Sequence, residues 1–265
     1  MMQSAMRLAP NSATHGRRLK LHRVPGFGEV SNRSDQSQPS ELRSIPSAGT
    51  DVAVNYLSIG VRRGGAHNRA ERETYELSVR QSDNLIAAAR HATAIGLPLT
   101  RMITIHWQST GIPLERMAAA TGRFVDLLTK ALARRGRKIA WLWVHENGHG
   151  KGGHCHLLVH VRAADVPIIT RLQMGWLRRI TGQRYHRRVI RGDAIGRKLG
   201  LDTSNPALWA ENAATTLGYL LKGIDPDAPV AASLARLQPG GRVIGKRCGT
   251  SQNIGRKARS ERAEE

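Results

Sequence analysis

Residues 138–161 read Lys-Ile-Ala-Trp-Leu-Trp-Val-His-Glu-Asn-Gly-His-Gly-Lys-Gly-Gly-His-Cys-His-Leu-Leu-Val-His-Val. Two apolar runs, Lys138 to Glu146 and Gly153 to Val161, flank a glycine-rich stretch from Asn147 to Gly153. Apolar runs of this length bounded by glycine read as strands, and the loop between them lets the chain return as a hairpin. In the second run Leu157, Val159 and Val161 share one side. Residues i and i+2 of a strand point to one face, so His154 and His156 present two imidazoles side by side. Glu146 ends the first strand and is expected beside the start of the second, as a third ligand to one ion. His106 and His160 are the next candidates for that place.

Outward from the hairpin, helices and strands alternate. Asp83 to Ile95 reads as a helix with Leu85, Ile86 and Ala89 on one side and Gly96-Leu-Pro98 stopping it. Arg101 to Trp107 reads as a strand. Pro113 to Arg135 reads as a long helix with proline at its start and arginines at its end, which suits the helix dipole. Val166 to Ile180 is expected to be a helix capped by Asp165 and stopped at Gly182. Arg184 to Arg191 reads as a strand, and Asn205-Pro206 opens a helix that runs to Lys222. Arg242 to Lys246 reads as a last short strand. The mixture predicts an α+β fold: a central antiparallel sheet of about five strands carrying the His-x-His strand, flanked by helices on one side.

Composition sets the broad class. The chain has 265 residues, with 41 Lys and Arg against 20 Asp and Glu, a formal charge of +21. An excess of that size points to a polyanionic partner, nucleic acid before membrane. Two cysteines, Cys155 and Cys248, exclude a disulfide framework or a zinc ribbon. No apolar stretch is long enough to span a membrane, and no secretory leader is recognisable. The cytoplasm of a bacterial cell, in association with DNA, is the default expectation. Residues 1–50 are basic, rich in Ser, Gln and Pro, and read as a disordered arm. Residues 51–95 read as a linker, with a strand candidate at Val52 to Ile59, followed by the first helix. The main domain is expected over 96–250 and a flexible charged tail over 251–265.

Two imidazoles and a carboxylate suit a divalent ion with open positions, such as Mn²⁺ or Mg²⁺ in a phosphate-processing site; zinc competes for the same ligands. Plain hydrogen-bonded histidines are the alternative. On the helix from Pro206, Asn212, Thr215, Thr216, Tyr219 and Lys222 gather on one face at helical spacing, with Ala213, Leu217, Leu220 and Leu221 opposite. Tyr219 is then a surface residue or a phenol aimed into a polar site. A phenol is a poor nucleophile at neutral pH, and a nearby ammonium favours its ionised form. Gly240 to Lys246 matches the start of a phosphate-binding loop, but Arg247 stands where Ser or Thr is required, so nucleotide binding is not expected. Arg242, Lys246 and Arg247 read instead as residues that grip a phosphate backbone. Arg187 and Arg188, beside Tyr185, read as a DNA-contacting surface.

Three segments taken in order, Met102-Ile-Thr-Ile-His-Trp107, His154-Cys-His156 and Tyr219-Leu-Leu-Lys222, resemble the HUH endonucleases. Among them the likeness is to rolling-circle replication initiators with one catalytic tyrosine. The match spans roughly residues 100–250. It implies a five-stranded antiparallel sheet with the His strand central, a metal on His154, His156 and Glu146, Tyr219 as nucleophile and Lys222 as its helper. It places Thr104, on the Thr-containing strand, among the DNA-binding residues. Cys155 departs from the family's bulkier residue. The tyrosine follows the histidines, as in the initiators. The implied activity is nicking and joining of single-stranded or hairpin origin DNA through a 5′-phosphotyrosine, starting replication of a plasmid or phage with a host helicase and polymerase. A single-tyrosine transposase and a non-catalytic basic DNA-binding protein are the alternatives.

Overall fold

The computed structural model describes residues 71–184, 188–195 and 205–263. The expected arm, the strand candidate Val52 to Ile59, Tyr185 and Arg187 lie outside these residues. A five-stranded antiparallel sheet is built from β2 (Arg101–Ile105), β3 (Trp141–Gly148), β4 (Gly152–Val159), β5 (Ile190–Ala194) and β7 (Cys248–Thr250), in the order β5-β2-β4-β3-β7. The His strand is β4, at the centre. A small second sheet pairs β1 (Glu73–Thr74) with β6 (Val243–Ile244). The helices are α1 (Val79–Ala94), α2 (Leu114–Ala133), α3 (Val166–Thr181), α4 (Pro206–Leu221) and α5 (Arg256–Ala263).

Strand alternation divides the sheet cleanly. Ile103, Trp143, Cys155, Leu157 and Val159 join Phe124 and Leu128 of α2 and Trp176 and Leu177 of α3 in one core. Leu142, Val144 and Leu158 join Leu85, Ala88 and Ala92 of α1 and Trp209, Leu220 and Leu221 of α4 in another. Helices therefore cover both faces, where the sequence suggested one. The second cover comes from α1, through Ser82, Leu85, Ala88 and Ala92, and from α4, through Trp209, Leu220 and Leu221. In α2 the buried set Met117, Ala120, Thr121, Phe124, Val125, Leu128 and Leu132 recurs at helical spacing. Each large apolar side chain sealed there contributes on the order of 2 kcal/mol.

Local signals account for the helix ends. Ser78 caps α1 and exchanges bonds with Gln81 in a capping box. Gly182 closes α3 at φ 70°. Asp165 does not cap α3 as expected; its buried carboxylate accepts from Arg135 at 2.8 Å and Arg137 at 3.2 Å. Residues 252–263, expected as a flexible tail, are helical. Arg259 and Arg256 donate to the side chain of Asn84 on α1 at 2.7 and 3.3 Å, so this segment closes the α1 side of the fold.

Arg247 also departs from expectation. It is 1% exposed and donates to the Thr74 and Gly241 carbonyls and to Thr74 Oγ1 at 2.9 Å. Burial lowers its pKa to about 10, so it remains charged at neutral pH, but no phosphate reaches it. It clamps β1 to the 240s loop. The glycine pair in that loop has a packing reason rather than a nucleotide. Gly241 has φ 70°, and a Cβ there would lie 1.9 Å from the Asn147 carbonyl oxygen.

A buried hydrogen-bond chain runs from α2 across β3. Trp107 Nε1–H donates to Thr121 Oγ1 at 2.8 Å, whose hydroxyl donates to His145 Nε2 at 2.8 Å; His145 Nδ1–H donates to the Lys246 carbonyl at 3.0 Å. The chain is complete only for a neutral imidazole, and burial pushes the His145 pKa down to about 3. Cys155 lies in the same core; burial raises its thiol to about 12, so it is inert packing. A histidine titrating near 6.5 when unfolded and near 3 when folded gives stability that is complete above pH 6.5. Between those values the unfolded chain holds the extra proton, so stability falls with pH at up to about 1.4 kcal/mol per unit. Urea midpoints at stepped pH should fall less steeply for His145→Gln than for the wild type; parallel curves would refute this.

Candidate active site

The site is a product of strand register. In the β3–β4 ladder Glu146 faces His154, and in the β2–β4 ladder Thr104 faces His156. All four project from the sheet face covered by α1 and α4. Glu146, His154 and His156 converge, each offering one ligand atom within 4.8 Å of the others. Glu146 Oε2 lies 3.4 Å from His154 Nε2 and 3.6 Å from His156 Nε2. All three side chains are buried.

The outer nitrogens of both rings are already committed. His154 Nδ1–H donates to the Gly152 carbonyl at 2.8 Å, and His156 Nδ1–H donates to Thr104 Oγ1 at 3.0 Å. Nε2 of each ring is thereby turned toward Glu146. The Thr104 hydroxyl accepts from His156 and so orients that ring. Gln108, which the sequence did not single out, steadies the start of β4 by accepting from the Gly153 amide at 2.7 Å. Gly152 and Gly153 leave room for it: a Cβ at Gly152 would lie 2.4 Å from Gln108 Oε1. His106 stacks at the edge, its ring 5.5 Å from that of His154. His160 lies far along β4 and bonds the Pro98 carbonyl at 2.7 Å.

Helix α4 delivers the other two residues from its C-terminal end. The Tyr219 ring meets the His156 ring edge-on, with centroids 5.1 Å apart. Lys222 is buried, forms an ion pair with Glu146 Oε1, and rests its ammonium 4.0 Å above the Tyr219 ring centroid. This corrects the expectation that Lys222 simply favours phenolate. Its charge is committed to the carboxylate and to the face of the ring. Burial, and then the charge of Glu146, hold the Tyr219 pKa above its ordinary value. Burial opposes ionisation of Glu146 too, but the ion pair with Lys222 outweighs it, so Glu146 is a carboxylate. Burial brings His156 down to about 4, hence neutral at physiological pH.

Of the expected phosphate-gripping arginines and lysines, Arg188 and Lys246 are exposed. Arg242 is exposed but already holds Glu73, with Arg242 Nε at 2.9 Å from Glu73 Oε2. Arg247 is the buried clamp described above. Among the described residues, no helix is long and apolar enough to cross a membrane.

No family model matches the chain, and no curated protein matches it. Among solved structures the chain is similar to the N-terminal nuclease domain of non-structural protein 1 of minute virus of mice, with 11% identity and a TM-score of 0.25. The alignment covers 52% of this chain and 71% of that one. That domain is described as having Zn²⁺ coordination in its active-site pocket and a mode of DNA recognition at the origin of replication.

The donor set fits a divalent cation on this chain's own geometry. His156 Nε2 is buried and has no hydrogen-bond partner, an expensive state for a nitrogen lone pair unless a ligand takes it. A second imidazole and a carboxylate oxygen face the same spot. Two nitrogens and one oxygen leave positions for substrate and suit Mn²⁺, Mg²⁺ or Zn²⁺. Because Thr104 fixes the His156 ring, Thr104→Val should weaken Mn²⁺ binding by roughly tenfold or more, read by titration calorimetry. His156→Ala should remove binding. Equal affinity in the Val variant would mean that the hydroxyl does not orient the ligand.

Proposed function

We propose that this chain is an HUH-type endonuclease that nicks and joins single-stranded DNA through Tyr219. The observation that carries this reading is the contact of the Tyr219 ring with His156, the ring whose free Nε2 faces Glu146 and His154. A tyrosine, two imidazoles and a carboxylate at one spot are the parts of a phosphodiester transesterification. The reading keeps Tyr219 as nucleophile, Lys222 as its positioning partner, and Glu146, His154 and His156 as the metal ligands.

A divalent cation held there supplies a Lewis acid for the non-bridging oxygens of the scissile phosphate. The chain's own residues do the rest. Tyr219 Oη forms a bond to phosphorus as the bond to the departing 3′ oxygen breaks; the phenolic proton passes to water and the 3′ oxygen takes one back. The number of phosphoester bonds is conserved, so the reverse attack by another 3′-hydroxyl rejoins a strand. Lys222 holds Glu146 and the tyrosine ring in one geometry, which places the nucleophile before the substrate arrives. The exposed Lys246 contributes a backbone contact to the strand.

The free 3′ end primes synthesis, so we read the chain as an initiator of rolling-circle replication for a plasmid or phage. Its substrate is then a single-stranded or hairpin origin, and it works with a host helicase and polymerase. The position of Tyr219 after the histidine pair, as in the initiators, supports this reading. A labelled origin-like oligonucleotide with Mn²⁺ should give an adduct under denaturing conditions, and chelator should abolish it. Tyr219→Phe should lose the adduct while DNA affinity stays within about twofold, since one oxygen is removed and little packing. An adduct surviving in the Phe variant would move the nucleophile elsewhere, with Tyr185 next. No adduct in any protein would leave a DNA-binding protein without catalysis.

A further inference from the structure

Helix α3 turns toward solvent a face that carries arginine and no acid. No aspartate or glutamate occurs between Val166 and Gly192. Arg171, Arg178 and Arg179 of the helix, and Arg184 and Arg188 beyond it, are exposed. Among the described residues none of these five pairs with a carboxylate, whereas the neighbouring Arg191 holds Asp193 at 2.8 Å. The acid that precedes the helix, Asp165, is already held by Arg135 and Arg137. Guanidinium groups gathered this way repel one another, and a polyanion relieves that repulsion.

The shape of the ridge is a second observation. Arg171 and Arg178 lie two turns apart on one stripe, about 10 Å along the axis. Between them on the stripe are Met174, 41% exposed, and Gly175. A Cβ at Gly175 would meet nothing within 4 Å, so packing inside the protein does not require glycine there. Glycine inside an exposed helix is disfavoured relative to alanine, and its lack of a side chain keeps the ridge low for an incoming surface. A concavity of about 360 Å³ lined by Gly175, Arg178, Arg179, Gly182, Gln183 and Arg184 adjoins it.

We propose that this arginine face of α3 docks the phosphate backbone of duplex DNA, at a seat separate from the Tyr219 site. The helix packs on the sheet face opposite the one that bears Glu146, His154 and His156, so the two places hold different segments of nucleic acid. Single-strand binders rely on exposed aromatic platforms for stacking. The one aromatic residue of α3, Trp176, is buried in the core. Arginines on a helix without such a platform suit a duplex backbone. The choice of DNA over other polyanions rests on the function proposed above.

The test uses the full chain with a short labelled duplex and a single strand of the same length, followed by anisotropy over a salt series. The combined Arg171→Gln, Arg178→Gln and Arg179→Gln variant should weaken duplex binding by at least about tenfold near physiological salt. It should also lower the log–log salt slope by about 2 to 3. Nicking of a short single-stranded oligonucleotide should be unchanged. Gly175→Glu, which places a carboxylate on the ridge while the helix signal in circular dichroism is retained, should weaken the duplex alone. Unchanged duplex affinity and slope in both variants overturns the proposal. An equal loss for duplex and single strand overturns it as well. If the wild type forms no adduct on any strand while duplex affinity falls as stated, the α3 seat stands and the nicking function falls.

Discussion

A carboxylate nearly closed to water, Glu146, ties the sheet to the helix that carries the tyrosine. One of its oxygens is held by Lys222 and the other faces two imidazoles. A buried charge left alone is costly, and removing one partner of such a pair destabilises by about 3–5 kcal/mol. Helix α4 is also held by Trp209, Leu220 and Leu221, which are buried in the core, while a largely apolar cavity of about 840 Å³ opens along its flank. The position of Tyr219 therefore depends on an ion pair one turn further on as well as on the packing of the helix. A polar contact that a folded core would ordinarily avoid is here the device that sets the distance between the phenol and the histidine pair.

The sheet and the convergence of the site were legible because both follow from a period of two. Once β3 and β4 are strands joined across a glycine-rich loop, Glu146, His154 and His156 share a face without further information. Helices α2 and α3 were legible from apolar spacing. What escaped depends on partners distant in sequence. The wheel of α4 put Lys222 on a polar face, but cannot show that this face meets a carboxylate on β3. Nothing in the sequence around Arg247 shows that the Thr74 and Gly241 carbonyls surround it, so a strut was taken for a phosphate contact. The bond from Thr104 to His156 likewise depends on the histidine across the ladder. The C-terminal segment reads as a charged tail until Asn84 of α1 is seen to receive Arg256 and Arg259.

Electrostatics divides the described residues into charges held inside and charges left open. Arg242, Arg247, Arg135 and Arg137 are bound to acids or carbonyls and serve the fold. The arginines of α3 are bound to nothing described and lie across the sheet from the catalytic candidates. Net charge alone does not separate these groups. A positive residue serves a partner only where its guanidinium or ammonium has not already been claimed, which is a property of contacts rather than of composition.

In the proposed reaction, a divalent cation held by Glu146, His154 and His156 would let the charge count favour the transition state over the ground state. Glu146 and Lys222 cancel one another, so with a divalent cation bound the site has about two positive charges to offer. A phosphodiester brings one negative charge and leaves one unanswered. When the phenol has lost its proton and bonds to phosphorus, the phosphoryl centre carries two, and the sum closes. Lys222 thus has a second consequence beyond holding the helix. Without it Glu146 would leave the site one charge short at the moment of attack, and neutrality would be reached with substrate merely bound. Interactions completed only at the transition state raise the rate of the chemical step, whereas those completed on binding do not.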